Sequence, residues 1–196
     1  VSGPWERSDV PRGHAYDRRF EDLAASGMDM HGEAGLVASV APEPASVLDA
    51  GCGTGRVAIE LHRRGHTVVG VDIDEAMLEA ARAKAPDLAW VCGDLADPGL
   101  EFDGRSFDVV VMAGNVLIFV APGTEGRVLQ NAARWLRPGA LLVTGYSVRP
   151  EGFGPRQHDT LAARWGLVLQ DRWSTWDKHP YTAGDRYAVA VHRREI

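Results

Sequence analysis

The amino-acid sequence predicts an α/β chain wound around a mainly parallel sheet, in the doubly wound arrangement. Three observations predict it. Short apolar runs alternate with amphipathic helical segments along most of the 196 residues. The first run leads directly into VLDAGCGTGR, Val47 to Arg56, where Gly51, Gly53 and Gly55 stand at alternate positions. Carboxylates stand at or near the ends of the first three runs, as Asp49, Asp72 and Asp94. Open parallel sheets bind ligands at that edge.

Each element follows from its residues. Ahead of the first strand, Arg12 to Ala25 reads as a helix carrying Tyr16 and Phe20 on one side, and Gly32 to Val40 as a second packed under the strand. After the glycine loop, Val57, Ala58, Leu61 and Gly65 turn one helix face to the sheet, and Arg63 and Arg64 turn to water. Thr67 to Val71 is the next strand, closed by Asp72. Asp74 is a good N-cap for a helix over Glu75 to Lys84, which ends before Pro86. Leu88 to Cys92 is a third strand leading to Asp94. Val128, Leu129, Ala132 and Leu136 repeat at helical spacing in a helix that stops at Pro138-Gly139. Gly152 to Pro155 form a loop before a short helix over Arg156 to Trp165. Leu167 to Trp176 and Tyr187 to His192 read as two strands joined by a polar loop.

Without Cβ atoms, the loop glycines let the backbone turn sharply and approach a ligand closely. Asp72 lies about twenty residues beyond the first of them, where an acid accepts both ribose hydroxyls of a nucleotide cofactor. Asp94 followed by Leu95 suits an adenine: the carboxylate accepts from the amine and the leucine packs on the ring. Ile73 can press on the other face. NAD and S-adenosylmethionine (SAM) both use such a site, and Asp49 separates them. Its negative charge beside the glycines opposes a pyrophosphate and favours a sulfonium bearing an ammonium. The loop also reads G-x-G-x-G rather than the dinucleotide G-x-G-x-x-G.

With these motifs the chain resembles the class I SAM-dependent methyltransferases. The resemblance rests on VLDAGCGTGR, VVGVDIDEAML and VCGDL, and extends to FDVVVMAGNVLIFV, Phe107 to Val120, as the fourth strand. WLRPGALLVTGY, Trp135 to Tyr146, supplies a helix end and the fifth strand. It covers residues 45–147. The resemblance implies a Rossmann-like, seven-stranded sheet with an antiparallel last strand, and N-terminal helices (residues 1–44) that cap the cofactor. Residues 148–196 would complete a single domain with a helix and strands. It also implies Asp49, Gly51, Gly53 and Gly55 around the methionine part, Asp72 on the ribose, Asp94 and Leu95 on the adenine, and Ala113 to Asn115 near the sulfur. The reaction implied is methyl transfer from SAM to an acceptor, leaving S-adenosylhomocysteine (SAH).

The acceptor is narrowed by exclusion. A net charge of −6 without a Lys/Arg stripe argues against nucleic acid. No Asn-Pro-Pro-Tyr follows the fourth strand, no Pro-Cys pair occurs, and no metal-binding set typical of catechol-type transferases is apparent. The apolar runs are too short to span a bilayer, no signal peptide is expected, and Cys52 and Cys92 give no disulfide or metal spacing. A cytoplasmic enzyme acting on an oxygen or nitrogen of a small molecule is the resulting expectation. Tyr16, His31, Asn115 and Tyr146 are the acceptor-pocket candidates. Each has a plainer reading: cap-helix packing, a solvated turn, a loop-capping amide and the core. A SAM-binding protein without transferase activity and an NAD(P)-dependent oxidoreductase remain the alternatives.

Overall fold

A computed structural model of the chain describes residues 4–5, 7–27, 29–149 and 152–195, without the side chains of residues 19–21 and 23. The elements are α1 (His14–Ala25), α2 (Gly32–Val40), β1 (Ser46–Ala50), α3 (Arg56–Arg63), β2 (Thr67–Asp72), α4 (Glu75–Lys84) and β3 (Ala89–Cys92). There follow β4 (Phe107–Met112), α5 (Val116–Phe119), α6 (Glu125–Trp135), β5 (Leu136–Ser147), α7 (Pro155–Ala163), β6 (Leu167–Trp173) and β7 (Tyr187–Arg194). The strands form one seven-stranded sheet in the order β3-β2-β1-β4-β5-β7-β6. β7 runs antiparallel to both its neighbours, and the other pairings are parallel.

Alternate residues of each strand face opposite sides, so one apolar run serves two cores. Leu48, Val110, Met112 and Leu142 join Leu129 and Ala132 of α6 on one face. Val47, Val109, Val111 and Val143 join Leu36 and Val37 of α2 and Val57 and Leu61 of α3 on the other. Burying each large aliphatic side chain contributes about 1.5–3 kcal/mol. α4 begins where its cap places it, since Asp74 Oδ1 accepts from the Ala76 N–H at 3.0 Å.

Several boundaries differ from the sequence expectation, and three of them bear on the architecture. The apolar stretch of residues 107–120 is not all strand: β4 ends at Met112 and α5 occupies Val116–Phe119. Gly114 and Asn115, at φ 71° and 75°, are left-handed and cannot continue an extended ladder. α6 stops at Trp135, and Pro138-Gly139 lies inside β5 near its start. β6 ends at Trp173, and Trp176 instead covers Gly145, where a Cβ would stand 2.2 Å from its ring. The side chain of Phe20, expected beside Tyr16, lies outside the described residues. Among the described residues no helix is long and apolar enough to cross a membrane.

This topology fixes where a ligand goes. From β1 the chain winds outward through β2 to β3, then returns to β4 on the opposite side of β1. The reversal leaves a crevice beyond the carboxyl ends of β1 and β4.

Candidate functional site

A cavity opens at that crevice. Asp49, Gly51 and Gly53 line it from the β1 loop, Asp72 and Ile73 from the tip of β2, Asp94 and Leu95 from beyond β3, and Ala113 from beyond β4. The elements that carry them are fixed by parallel pairing, Asp49 opposite Gly70 and Asp72 opposite Cys92. The loop is held from within. Gly51 and Cys52 donate their N–H groups to Val71 O at 2.8 and 3.0 Å, and Gly53 N donates to Asp72 Oδ2 at 2.7 Å. Gly51 has φ 79°, and a Cβ there would lie 2.5 Å from a Val116 methyl, so only glycine fits.

The electrostatics of the two central acids are unusual. Asp49 is 1% exposed, and Oδ2 accepts from the Ala58 N–H in the first turn of α3 at 3.0 Å. Burial outweighs that bond and the Arg56 charge, and Asp49 is pushed up to about 7. Asp72 is raised by burial too, although N–H groups of Asp74 and Gly53 support its charge. Arg56 lines the same cavity, and its charge does not offset the burial of Asp49. A ligand carrying a sulfonium and an ammonium at Asp49, and ribose hydroxyls at Asp72, would supply what these carboxylates lack. The residues fit SAM on that ground, whereas a pyrophosphate at Asp49 would add charge of the same sign. Burial also raises the Cys52 thiol well above its usual value, which keeps it protonated and inert.

Of the expected cofactor set, Gly55 and Asn115 do not line the cavity. Gly55 caps α3 at φ 84°, with a Cβ position 2.5 Å from the Trp90 ring, so its bareness serves packing. Asn115 clasps its loop to β5: Oδ1 accepts from Ser147 N at 2.7 Å and its N–H donates to Gly145 O at 3.1 Å. Of the acceptor candidates, Tyr16 lines the cavity. Tyr146 is fully buried in the opposite direction, its hydroxyl 3.2 Å from His158 Nδ1 and its ring edge-on to Phe153. Burial takes His158 down to about 3, so that ring is neutral. His31 lies ahead of α2, half-exposed, with Nδ1 3.9 Å from Glu60.

The cavity includes residues not singled out from sequence. Trp5, Thr54, Arg56, Val116 and Phe119 line it. Arg56 makes a two-pronged bond to Glu33 at 2.9 and 2.5 Å, which ties α3 to α2 beside the cavity. Thr54 Oγ1 donates to Asp17 Oδ1 at 2.5 Å, and Lys84 Nζ bonds the other oxygen at 2.7 Å, so α1 is moored to the loop and to α4. An arginine opening the helix after a glycine loop was the one local signal available; the partners lie far away in sequence.

The fold and these acids define an α/β protein with a nucleoside-cofactor site at its topological switch point. Comparison with known proteins sharpens the class. A family model described as "Methyltransferase domain" matches residues 47–139. A TehB-like SAM-dependent methyltransferase structure from Corynebacterium glutamicum is 35% identical, with a TM-score of 0.85, covering 93% of this chain and 97% of that one. Magnesium-protoporphyrin O-methyltransferase of Rhodobacter capsulatus is 41% identical over 88 residues, 42% of this chain and 37% of that protein. A dTDP-3-amino-3,4,6-trideoxy-alpha-D-glucopyranose N,N-dimethyltransferase of Streptomyces venezuelae is 33% identical over 139 residues, 70% of this chain and 56% of that one. The chain thus spans between about a third and just over half of the length of these two curated relatives. It belongs to the class I SAM-dependent methyltransferases, and its cofactor is SAM.

Proposed function

We propose that this chain, acting as one domain, transfers a methyl group from SAM to an oxygen or nitrogen of a small molecule in the cytoplasm. The observation that carries the reading is the buried Asp49, raised by burial despite the Arg56 charge, in the same cavity that Asp72 and Asp94 line. When bound, SAM supplies a methyl group activated by its sulfonium charge. The chain's own part is to bind and orient. Asp49 attracts the cationic end, Asp72 accepts from the ribose hydroxyls, and Asp94 with Leu95 and Ile73 holds the adenine. Ala113 floors the sulfur side. Tyr16 walls the side from which an acceptor approaches. Alignment of a nucleophile against the reacting carbon is worth effective molarities on the order of 10⁵ M and above. No dedicated acid–base pair is then required for an acceptor that arrives deprotonated.

The substrates named for the relatives, an aminosugar nucleotide and a magnesium porphyrin, support a small-molecule acceptor as the class to screen. The test is release of SAH from SAM in the presence of a panel of hydroxyl and amine acceptors. Release above the acceptor-free blank with one member is the expected result. SAM binding with no release across the panel would make the chain a cofactor-binding protein instead.

A further inference from the structure

The start of the chain contributes a wall to the cavity. Trp5 lines it beside Ile73 and Phe119, far ahead of β1 in sequence. Its indole Nε1–H donates to Asp74 Oδ2 at 3.0 Å, and Arg12 Nε donates to the same oxygen at 2.6 Å. The Arg12 guanidinium lies over the indole, 3.9 Å from the ring centroid, and its Nη2 donates to Trp5 O at 2.7 Å. The Ser8 hydroxyl donates to that carbonyl at 2.7 Å. On the other flank the Trp5 ring meets Phe119 edge-on, with centroids 5.5 Å apart, and Trp5 N donates to Phe119 O at 3.4 Å. The segment lands on α4, where Gly13 N donates to Met77 Sδ at 3.2 Å. It therefore crosses the mouth of the cavity from α5 to α4.

Resting on the SAM reading above, we infer that Trp5 is a cofactor-binding residue that roofs the adenosine half of SAM, with Arg12 and Asp74 as the positioning residues that hold it there. The half is given by the moorings. Asp74 is two residues beyond Asp72, and Ile73 between them faces the cavity while 46% exposed. A large apolar side chain exposed on one wall and an indole on another make a slot for a flat ring, which would cover both. The sulfur end lies by Asp49 and Ala113, at the ends of the central strands. Asp74 does double duty: Oδ1 caps α4 and Oδ2 takes both roof donors. The roof thus closes on the cap of α4, two residues beyond the ribose acid at the tip of β2.

Stacking of a base on an aromatic residue typically changes affinity by roughly ten-fold to a hundred-fold on substitution by alanine. Since the ligand leaves only when the roof opens, most of that change falls on dissociation. The experiment measures dissociation rates of SAH and of 5′-methylthioadenosine, which keeps the adenosine and lacks the amino acid, from the full chain. Trp5→Ala is expected to speed release of both by roughly ten-fold or more. Arg12→Gln, with the ring intact and its latch gone, is expected to speed both by less. Trp5→Phe, an aromatic without the Nε1 donor, is expected to restore most of the slow release, which a purely structural loss would not allow. Unchanged release of 5′-methylthioadenosine from Trp5→Ala overturns the roof. So does faster release of SAH alone, which would put Trp5 on the amino-acid end. If the unsubstituted chain binds neither ligand, the SAM reading itself falls and the roof with it; binding by the unsubstituted chain separates the two failures.

Discussion

The floor and the roof of the cavity are built by different means. The floor consists of backbone turns and short acids at the tips of parallel strands, locked by N–H bonds such as Gly53 N to Asp72 and Ala58 N to Asp49. The roof and its side walls come from residues ahead of β1, and long side chains hold them: Arg12 to Asp74, Lys84 to Asp17, Arg56 to Glu33. Partly exposed ion pairs of that kind contribute about 0–1 kcal/mol each. Floor residues sit inside the cooperative core, whereas the roof can open at small expense, as a lid over a cofactor must. On the roof proposal, the difference separates recognition by a rigid floor from retention by an opening roof.

The floor is broken most severely at Asp72. Asp72→Ala removes the proposed ribose bonds and frees the Gly53 N–H, and should weaken SAM binding by about 2–3 kcal/mol in a calorimetric titration. Unchanged affinity would remove Asp72 from the ribose. Next comes Asn115→Ala, which loses the bond to Ser147 and puts alanine at φ 75°. It should lower stability by about 2 kcal/mol in denaturant melts, summing one hydrogen bond and one left-handed residue. A normal melt with lost turnover would return Asn115 to the acceptor pocket.

Asp49 gives two opposite pH trends. Its folded value, raised to about 7 from 3.8, means that the ligand-free fold keeps a proton the unfolded chain releases. That contribution to stability is present at low pH and is lost as pH rises through about 7. SAM affinity should move the other way, falling by up to about tenfold per unit below pH 7 as the carboxylate protonates, or about 1.4 kcal/mol. SAH, whose sulfur is neutral, should fall less, and Asp49→Asn should flatten the difference between the two ligands. Equal pH profiles for SAM and SAH would take Asp49 away from the sulfonium. The smallest effect belongs to the roof's moorings. Asp17→Asn weakens the bonds to Thr54 and Lys84 and should change SAM affinity by less than about 1 kcal/mol. A loss as large as that of Asp72→Ala would mean that α1 shapes the floor itself.

The same division governs what could be read from sequence. The glycine loop, Asp72 and α4 were legible because their signals are local: a cap, a spacing, a strand end. The roof was not, because Trp5 and Asp74 meet across 69 positions, and neither residue marks the other. The fourth strand was overextended because residues 107–120 are apolar almost throughout, and only the left-handed pair Gly114 and Asn115 divides strand from helix. Tyr146 could not be placed because alternation along β5 offers two faces. The structure turns it toward α7, where its hydroxyl meets His158 Nδ1, and not toward the cavity.

The most direct test of the SAM site is calorimetric titration of the purified chain with SAM, SAH and NADH. Micromolar binding of SAM and SAH with no heat from NADH is the predicted result. Binding of NADH alone would contradict it, because Asp49 would then face a pyrophosphate it should repel.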